Sequence, residues 1–506
     1  MFAKRYRPDE LIEIIAAQSY SPEIVAYVKK VANQPTLANY LKSKPKLGVT
    51  GTIAKDYVEA TTPNAVPYIS TKQVKGLHAY IEDAKYISKE ADIEWKKCRV
   101  DDGDIVINKS GDVGAAAVLC CAPYKYVNSV SDIISIKLSE TAPVDRDFLV
   151  VYLNSPYGQK QLQRLSGGAI FSHVSLHAIP HINVYAADVL AQKYIGDKVR
   201  QAERLRAWAT TRGEAIGALV ANEAMRSACA ATEKQHNRPQ LEDLSHRLDP
   251  KYYGNRAVAV FRQAKALGKP LSSLVKTIAN GFEERIFFNE GRDYITVTEV
   301  SSGRLDLSSA PKIAYTTEVP DKAIIHERCA LIVRTGSIGT AVKVDVRDRG
   351  AVISSHLIRL EFEDEAAAAA VAAYFCSPAG KILQHKISYG AVQPQIGQDE
   401  LLALPIPQFV LDAKEQILAL VTEQERAIRA SKSLTTAAKY LVESLIEGQL
   451  TEAELLTAEK ALQAGNDRLD RVILSRLNTD GIDGQGPVLF GDLGELYQLL
   501  SLAEGD

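Results

Sequence analysis

Three short stretches of this chain carry residue types that could do chemistry. His173, His177 and His181 recur every four residues, the spacing at which histidines on one helix face ligate zinc. Pro180 lies inside that run and breaks the face. Asn154-Ser155-Pro156-Tyr157 comes near the (Asn/Asp)-Pro-Pro-(Tyr/Phe) motif of amino-methyltransferases but lacks its first proline. Pro320-Asp321 could open a nuclease cluster, yet no Glu-x-Lys partner follows. The chain also has no G-x-x-x-x-G-K-S/T P-loop, no strand-borne G-x-G-x-x-G and no H-E-x-x-H. It is therefore expected to hold no catalytic residue and no metal ligand.

What the chain does have is repetition. Tyr68-Ile69-Ser70-Thr71-Lys72-Gln73-Val74 returns as Tyr294-Ile295-Thr296-Val297-Thr298-Glu299-Val300. Ile107-Asn108-Lys109-Ser110-Gly111-Asp112-Val113-Gly114 returns as Ile332-Val333-Arg334-Thr335-Gly336-Ser337-Ile338-Gly339. Ser155-Pro156-Tyr157-Gly158 answers to Ser377-Pro378-Ala379-Gly380, and Ser166-Gly167-Gly168-Ala169 to Ser388-Tyr389-Gly390-Ala391. Ala178-Ile179-Pro180 matches Ala403-Leu404-Pro405, so matches in one order keep an offset of about 224 residues. The near-miss methyltransferase motif thus has Cys376-Ser377-Pro378-Ala379 as its mate, which no catalyst could use. A helix stop is the better reading.

These repeats must be positioned by equivalent elements. Each copy opens with short Val/Ile/Thr/Tyr segments broken by Gly, Asn and Asp, which predict strands. A short helix is expected at 146–154 and again at 364–376, each ended by a Ser-Pro. A Gly-rich loop and an apolar-Pro segment follow. Each copy then closes with a long helical run. In the second, Ile417, Leu420, Gln424, Ala427, Ser431, Leu434, Ala438, Leu441 and Leu445 form a seam at spacings of three and four. In the first, Ile195, Ala202, Leu205, Ala209, Ile216 and Leu219 do the same, with Lys198 and Arg212 interrupting. Helices of about 40 residues would be roughly 60 Å long, and two of them pack most simply as an antiparallel pair.

With 506 residues and 46% hydrophobic content, the chain can build more than one core. The six cysteines include no Cys-x-x-Cys, which argues against a zinc ribbon. The longest apolar run, 366–376, is too short to span a bilayer, and the charged N-terminus has no signal-peptide core. A cytoplasmic location without membrane attachment is expected. Residues 451–506 hold eleven acids and four bases, so of the net charge of −2 they contribute −7, leaving the body at +5. This acidic segment has no mate in the first repeat. It is expected to repel phosphate and to be dispensable for recognition.

The arrangement resembles the specificity (S) subunit of type I restriction-modification enzymes over about residues 30–450. The elements that carry the resemblance are Val66-Pro67-Tyr68-Ile69, Gly103-Asp104-Ile105-Val106-Ile107, Ser166-Gly167-Gly168-Ala169 and Leu404-Pro405-Ile406-Pro407. Arg247-Leu248-Asp249-Pro250-Lys251-Tyr252-Tyr253 looks like the lead-in to a second recognition domain, and Leu441 to Gly448 like the end of a second spacer helix. The acidic segment is a departure from the family. The resemblance implies an α+β chain: a first target-recognition domain at 1–187, a spacer helix at 188–230, a second recognition domain at 231–408, a spacer at 409–450 and a helical acidic tail at 451–506.

It also implies a non-catalytic subunit that reads a split sequence in double-stranded DNA, the helices setting the distance between half-sites. Such a subunit docks DNA methyltransferase (modification) subunits that use S-adenosylmethionine to methylate adenine. In restricting complexes it also docks motor-nuclease subunits that use ATP and magnesium. No cofactor is expected in this chain.

Base readout needs polar side chains on rigid loops or strand ends. Lys72 and Gln73 are one candidate group, with Thr298 and Glu299 as their mates. Asn108, Lys109 and Ser110 before a glycine turn, matched by Arg334 and Thr335, are a second. The Gly-rich loops supply Ser172 and His173 in the first copy and Tyr389, Gln393 and Gln395 in the second. Solvated turns are the alternative for each group. For the whole chain the alternative is a scaffolding protein whose two β-rich modules bind proteins.

Overall fold

The computed structural model describes residues 17–51, 53–167, 173–390 and 392–505. The chain divides into two compact units: the described residues up to Arg206 with those from Arg429 on, and Ala207–Ile428. Both boundaries fall inside the long helices. The C-terminal segment groups with the first unit instead of standing apart as a fifth piece.

The first unit is built on two five-stranded sheets. One has the order 46–47, 133–136, 105–108, 116–120, 78–80, and the other 57–58, 85–87, 66–69, 126–129, 100–101. Ile105–Asn108 and Ile133–Ile136 are buried at every position. Val106 and Ile133 join Ile69, Val100 and Val127 of the second sheet in one core, and helix Arg146–Asn154 packs on the neighbouring strand 116–120. The second unit repeats the plan with fewer strands: 275–280, 357–362, 329–333, 341–343 in one sheet and 312–313, 292–295, 352–353 in the other. Strand alternation decides which residue faces which layer. Ala330 and Ile332 join the core beneath helix Glu365–Cys376, while Cys329, Leu331 and Val333 join the core against the smaller sheet.

The Ser-Pro stops act as expected. Asp145 and Asp364 cap their helices by accepting from Phe148 N and Ala367 N, and Pro156 and Pro378 occupy the first turn of the next helix. The bend at Ser377-Pro378 is 79°. The glycine of the motif has a separate task. A Cβ on Gly158 would stand 2.5 Å from the Tyr152 carbonyl oxygen, and one on Gly380 would stand 2.2 Å from the Tyr374 oxygen. Among the described residues no single helix is long and apolar enough to cross a membrane. The apolar helix at 365–376 is a core helix of the second unit.

The long helices are Val189–Leu219, of 31 residues, and Lys414–Glu447, of 34, both shorter than the forty expected. Asn222 ends the first run by capping a separate helix, Glu223–Ala230, through its acceptance of the Met225 N–H. Within the second unit the two run antiparallel. Gln424 Nε2 donates to the Ala209 carbonyl at 2.9 Å, and Arg212 lies 3.6 Å from Glu423. The Gln424 amide enters where Gly213 has no side chain, since a Cβ there would stand 2.6 Å from its nitrogen.

Both interruptions of the first seam have partners. Arg212 lies over the Trp208 ring as well as near Glu423. Lys198, within the first unit, is fully buried and pairs with Asp470 of the C-terminal segment. That segment forms helices Glu452–Gln463, Arg468–Ser475 and Leu493–Gly505 with a small hairpin at 477–482. Lys193 reaches its Glu459 at 2.6 Å. The helical acidic tail is therefore part of the first unit, where its carboxylates pair with lysines on the long helix.

Candidate nucleic-acid interface

Each unit brings its candidate groups to one end of its sheets, around a turn that the repeats did not reveal. In the first unit this turn spans 129–133. Val130 N donates to Ile69 O, Lys109 N to Asp132 O at 2.8 Å, and Ile133 pairs with Asn108. In the second, Ser354 N donates to Ile295 O, Arg334 N to His356 O at 2.8 Å, and Leu357 pairs with Val333. Two glycines permit the close approach of the incoming strand to this turn. A Cβ on Gly48 would stand 2.2 Å from Ser129 O, and one on Gly281 would stand 2.1 Å from Ile353 O.

The turns following the strands also match. Gly111 and Gly114 have φ of +75° and +86°, and Gly336 and Gly339 have +88° and +101°. These left-handed positions suit glycine and set the same loop in both units. The Gly-rich segments then return as hairpins along the turn. Ser166–Gly167 pairs with His173–Val174, and Val174 N donates to Lys109 O at 3.2 Å. Tyr389 and Gln395 exchange both main-chain bonds, and Ile396 N donates to Arg334 O at 2.9 Å. Lys109 and Arg334 are thus pinned alike: the N–H by the turn, the carbonyl by the hairpin.

The strand register separates accessible candidates from framework positions. Asn108 is 1% exposed and stands opposite Ile133, as Val333 stands opposite Leu357, so Asn108 is a strand position whose mate is apolar. It is not on the surface with Lys109. Gln73 is committed locally. Its Oε1 accepts from Ser70 N at 2.9 Å and Ser70 Oγ at 3.0 Å, closing a capping box. Glu299 closes the same box on Thr296. Lys72 is exposed beside it, lining a cavity with Lys75, His78 and Arg206.

Ser110 Oγ donates to Asp132 Oδ1 at 2.6 Å, whereas Arg334 Nη1 donates to Ser355 O at 3.3 Å beside an exposed His356. Thr335 is 6% exposed and bridges to Gln395 through its backbone. Tyr389 is 44% exposed, Gln393 and His173 are exposed, and Gln395 is half-buried. Ser172 lies outside the described residues. His173, His177 and His181 fall on a strand, a turn and a 3₁₀ turn, so they share no helix face.

Asp132 and His356 are the site residues that sequence matching missed. Their only signal was a position just before the Ile-Ile and Leu-Ile pairs that open equivalent strands, too short a match to stand out. The first unit presents a carboxylate and a hydroxyl beside a lysine; the second presents an imidazole beside a guanidinium. One scaffold therefore carries an acceptor-rich surface in one copy and a donor-rich surface in the other.

The class defined by this fold and site is a duplicated α+β protein whose β-rich units offer matching loop surfaces and are joined through two long helices. No protein-family model and no curated protein matches the chain. Among solved structures it is similar to the S subunit of a type I restriction-modification system from M. genitalium, at 12% identity and a TM-score of 0.41, covering 82% of this chain and 95% of that one. It is also similar to the HsdS subunit from Thermoanaerobacter tengcongensis, at 14% identity and a TM-score of 0.26, covering 81% and 98%. A third similar chain comes from work on complex assembly and conformational transition of the type I R-M system, at 13% identity and a TM-score of 0.26, covering 84% and 96%.

Proposed function

We propose that this chain is the non-catalytic sequence-reading subunit of a type I restriction-modification complex. Each β-rich unit reads one half of a split target in double-stranded DNA. The chain docks DNA methyltransferase subunits that bring S-adenosylmethionine and methylate adenine. Where the complex restricts DNA, it also docks motor-nuclease subunits that use ATP and magnesium. One observation carries the reading: Lys109 and Arg334 are fixed by the same two backbone bonds, while Ser110 and Asp132 around one are replaced by Thr335 and His356 around the other. Fixed geometry with changed donors and acceptors is what two different half-sites demand.

The test reconstitutes the chain with a methyltransferase subunit and maps the methylated positions. The chain alone should transfer no methyl group from labelled S-adenosylmethionine. The complex should modify one bipartite sequence. Methyl transfer by the pure chain, or methylation whose sequence is indifferent to this chain, overturns the proposal.

A further inference from the structure

The second unit contains a basic cleft beside its candidate interface, next to a helix whose Lys381 and His385 are glutamines in the first unit. The crossing segment 233–257 and helix Pro378–Ile387 enclose a cavity of about 760 Å³. Lys234, His236, Lys251, Arg256, His385 and Lys386 line it, and its one carboxylate, Glu233, lies 3.3 Å from Arg256. Lys234 and Lys251 are exposed and form no ion pair among the described residues, and the same holds for nearby Lys381. Lys386 is buried. Its ammonium donates to Tyr252 O and stands 3.4 Å from the Tyr252 ring centroid, so it adds charge from a fixed position.

The cleft is continuous with the candidate interface. Lys251 Nζ donates to Ser388 Oγ at 3.2 Å, one residue before Tyr389. A Cβ on Gly339 would stand 3.3 Å from Lys381 Cγ and 3.5 Å from His385 Nε2, so both side chains pack under the turn that carries Arg334. The positive charge is not neutralised. His385 is held below the usual imidazole range by burial, and Lys251 and Lys381 push it the same way. In the first unit the Ser-Pro alignment puts Gln159 and Gln163 at the places of Lys381 and His385. Gln159 there donates to Gly114 O at 2.9 Å, and neighbouring Lys160 is paired with Glu23 at 2.8 Å.

We infer that this cleft is a phosphate clamp, which takes the sugar-phosphate strand of DNA where it leaves the reading loops of the second unit. The inference rests on the proposed DNA recognition and adds to it a backbone contact at a place where the first unit has Gln159 and Gln163. Unpaired lysines on an open trough suit a polyanion, since binding releases condensed counterions from DNA in proportion to the phosphates met.

The test uses the full chain with its methyltransferase partner and a duplex bearing the mapped target, titrated at several salt concentrations. The triple variant Lys234→Gln, Lys251→Gln, Lys381→Gln alters exposed side chains, and its melting temperature serves as the folding control. Three lost phosphate contacts should reduce the log–log salt slope by about 2.7 and leave the methylated sequence unchanged. Lys160→Gln in the first unit should leave the slope alone. In wild type, the imidazole titration of His385 followed by NMR should rise on adding DNA but not on adding inorganic phosphate. An unchanged slope with intact sequence-specific binding rejects the clamp and leaves recognition standing. A changed target sequence in the triple variant makes the cleft a base reader and overturns the inference. A His385 response to inorganic phosphate alone makes it a small-anion pocket and also overturns it. If the wild-type complex shows no sequence-specific binding, recognition and clamp fail together.

Discussion

Lys198 Nζ lies 2.7 Å from the Asp470 carboxylate, with 0% and 2% of the two side chains exposed. The hydroxyls of Tyr194 and Tyr497 donate to the same carboxylate. Burial among these groups, and the Asp470 charge, raise the Tyr194 hydroxyl well above its ordinary pKa, which keeps it a donor at any working pH. A lysine that breaks the apolar seam of the first long helix is thus the socket for the C-terminal segment.

Asp470→Ala should leave the Lys198 ammonium buried without a counter-charge. Breaking a buried pair from one side costs about 3–5 kcal/mol, and urea unfolding should show a loss of that size. The double variant Lys198→Met, Asp470→Leu should recover only part of it, because it removes the stranded charge but leaves the buried Tyr194 hydroxyl without its acceptor. A loss below about 1 kcal/mol for Asp470→Ala would mean the pair is solvated and the segment loosely held.

Glu443, on the second long helix, titrates at about 6 because burial disfavours its charge and Glu447 adds repulsion, with Lys439 opposing. The folded state therefore binds more protons than the unfolded state between the ordinary carboxyl value and about 6. Stability contributed by this group is present at lower pH and falls as pH rises through that window. Glu443→Gln should gain on the order of 1–2 kcal/mol at pH 7 and nothing at pH 4, as read from unfolding curves at the two values. A gain of equal size at both pH values would place its origin elsewhere.

Gly380→Ala forces a methyl to within 2.2 Å of the Tyr374 oxygen and 2.4 Å of Phe375 Cα, both backbone atoms that cannot rotate away. Overpacking of this kind costs roughly 1–3 kcal/mol. Gly158→Ala should behave alike, its Cβ meeting Leu153 and Tyr152 backbone atoms at 2.5 Å. By contrast Gly336→Ala has open space and should lose only the left-handed backbone preference, about 1 kcal/mol. Thermal melts of the three variants order the costs; equal costs would contradict the close helix approach.

Arg334→Ala should cost about 1–3 kcal/mol of discrimination at one base position and relax only the half-site read by the second unit. Lys109→Ala should affect only the other half. Methylation maps of each variant in the reconstituted complex decide the matter. Relaxation of both halves by either variant would show that the two surfaces do not read separately.

Much of this architecture is written in local sequence. The Ser-Pro stops, the glycines at positive φ, the capping residues Ser70 and Thr296 and the seams of the long helices all follow from interactions within a few residues. Repetition made those signals legible twice. Other features needed the chain folded. Lys198 reads as a flaw in a seam until Asp470, 272 residues away, is beside it. Asn108 reads as a polar residue at a turn, although the repeat matches it with Val333, until the ladder sets it opposite Ile133. A shift of one residue in register changes the face to which a side chain points. The turn at 129–133, with Asp132 and its counterpart His356, has almost no local signature, because only main-chain bonds from distant strands give it a place. Sequence periodicity determines which elements form, since it depends on near neighbours. Tertiary packing decides which charges are paired and which are left facing solvent, since that depends on groups far apart in the chain.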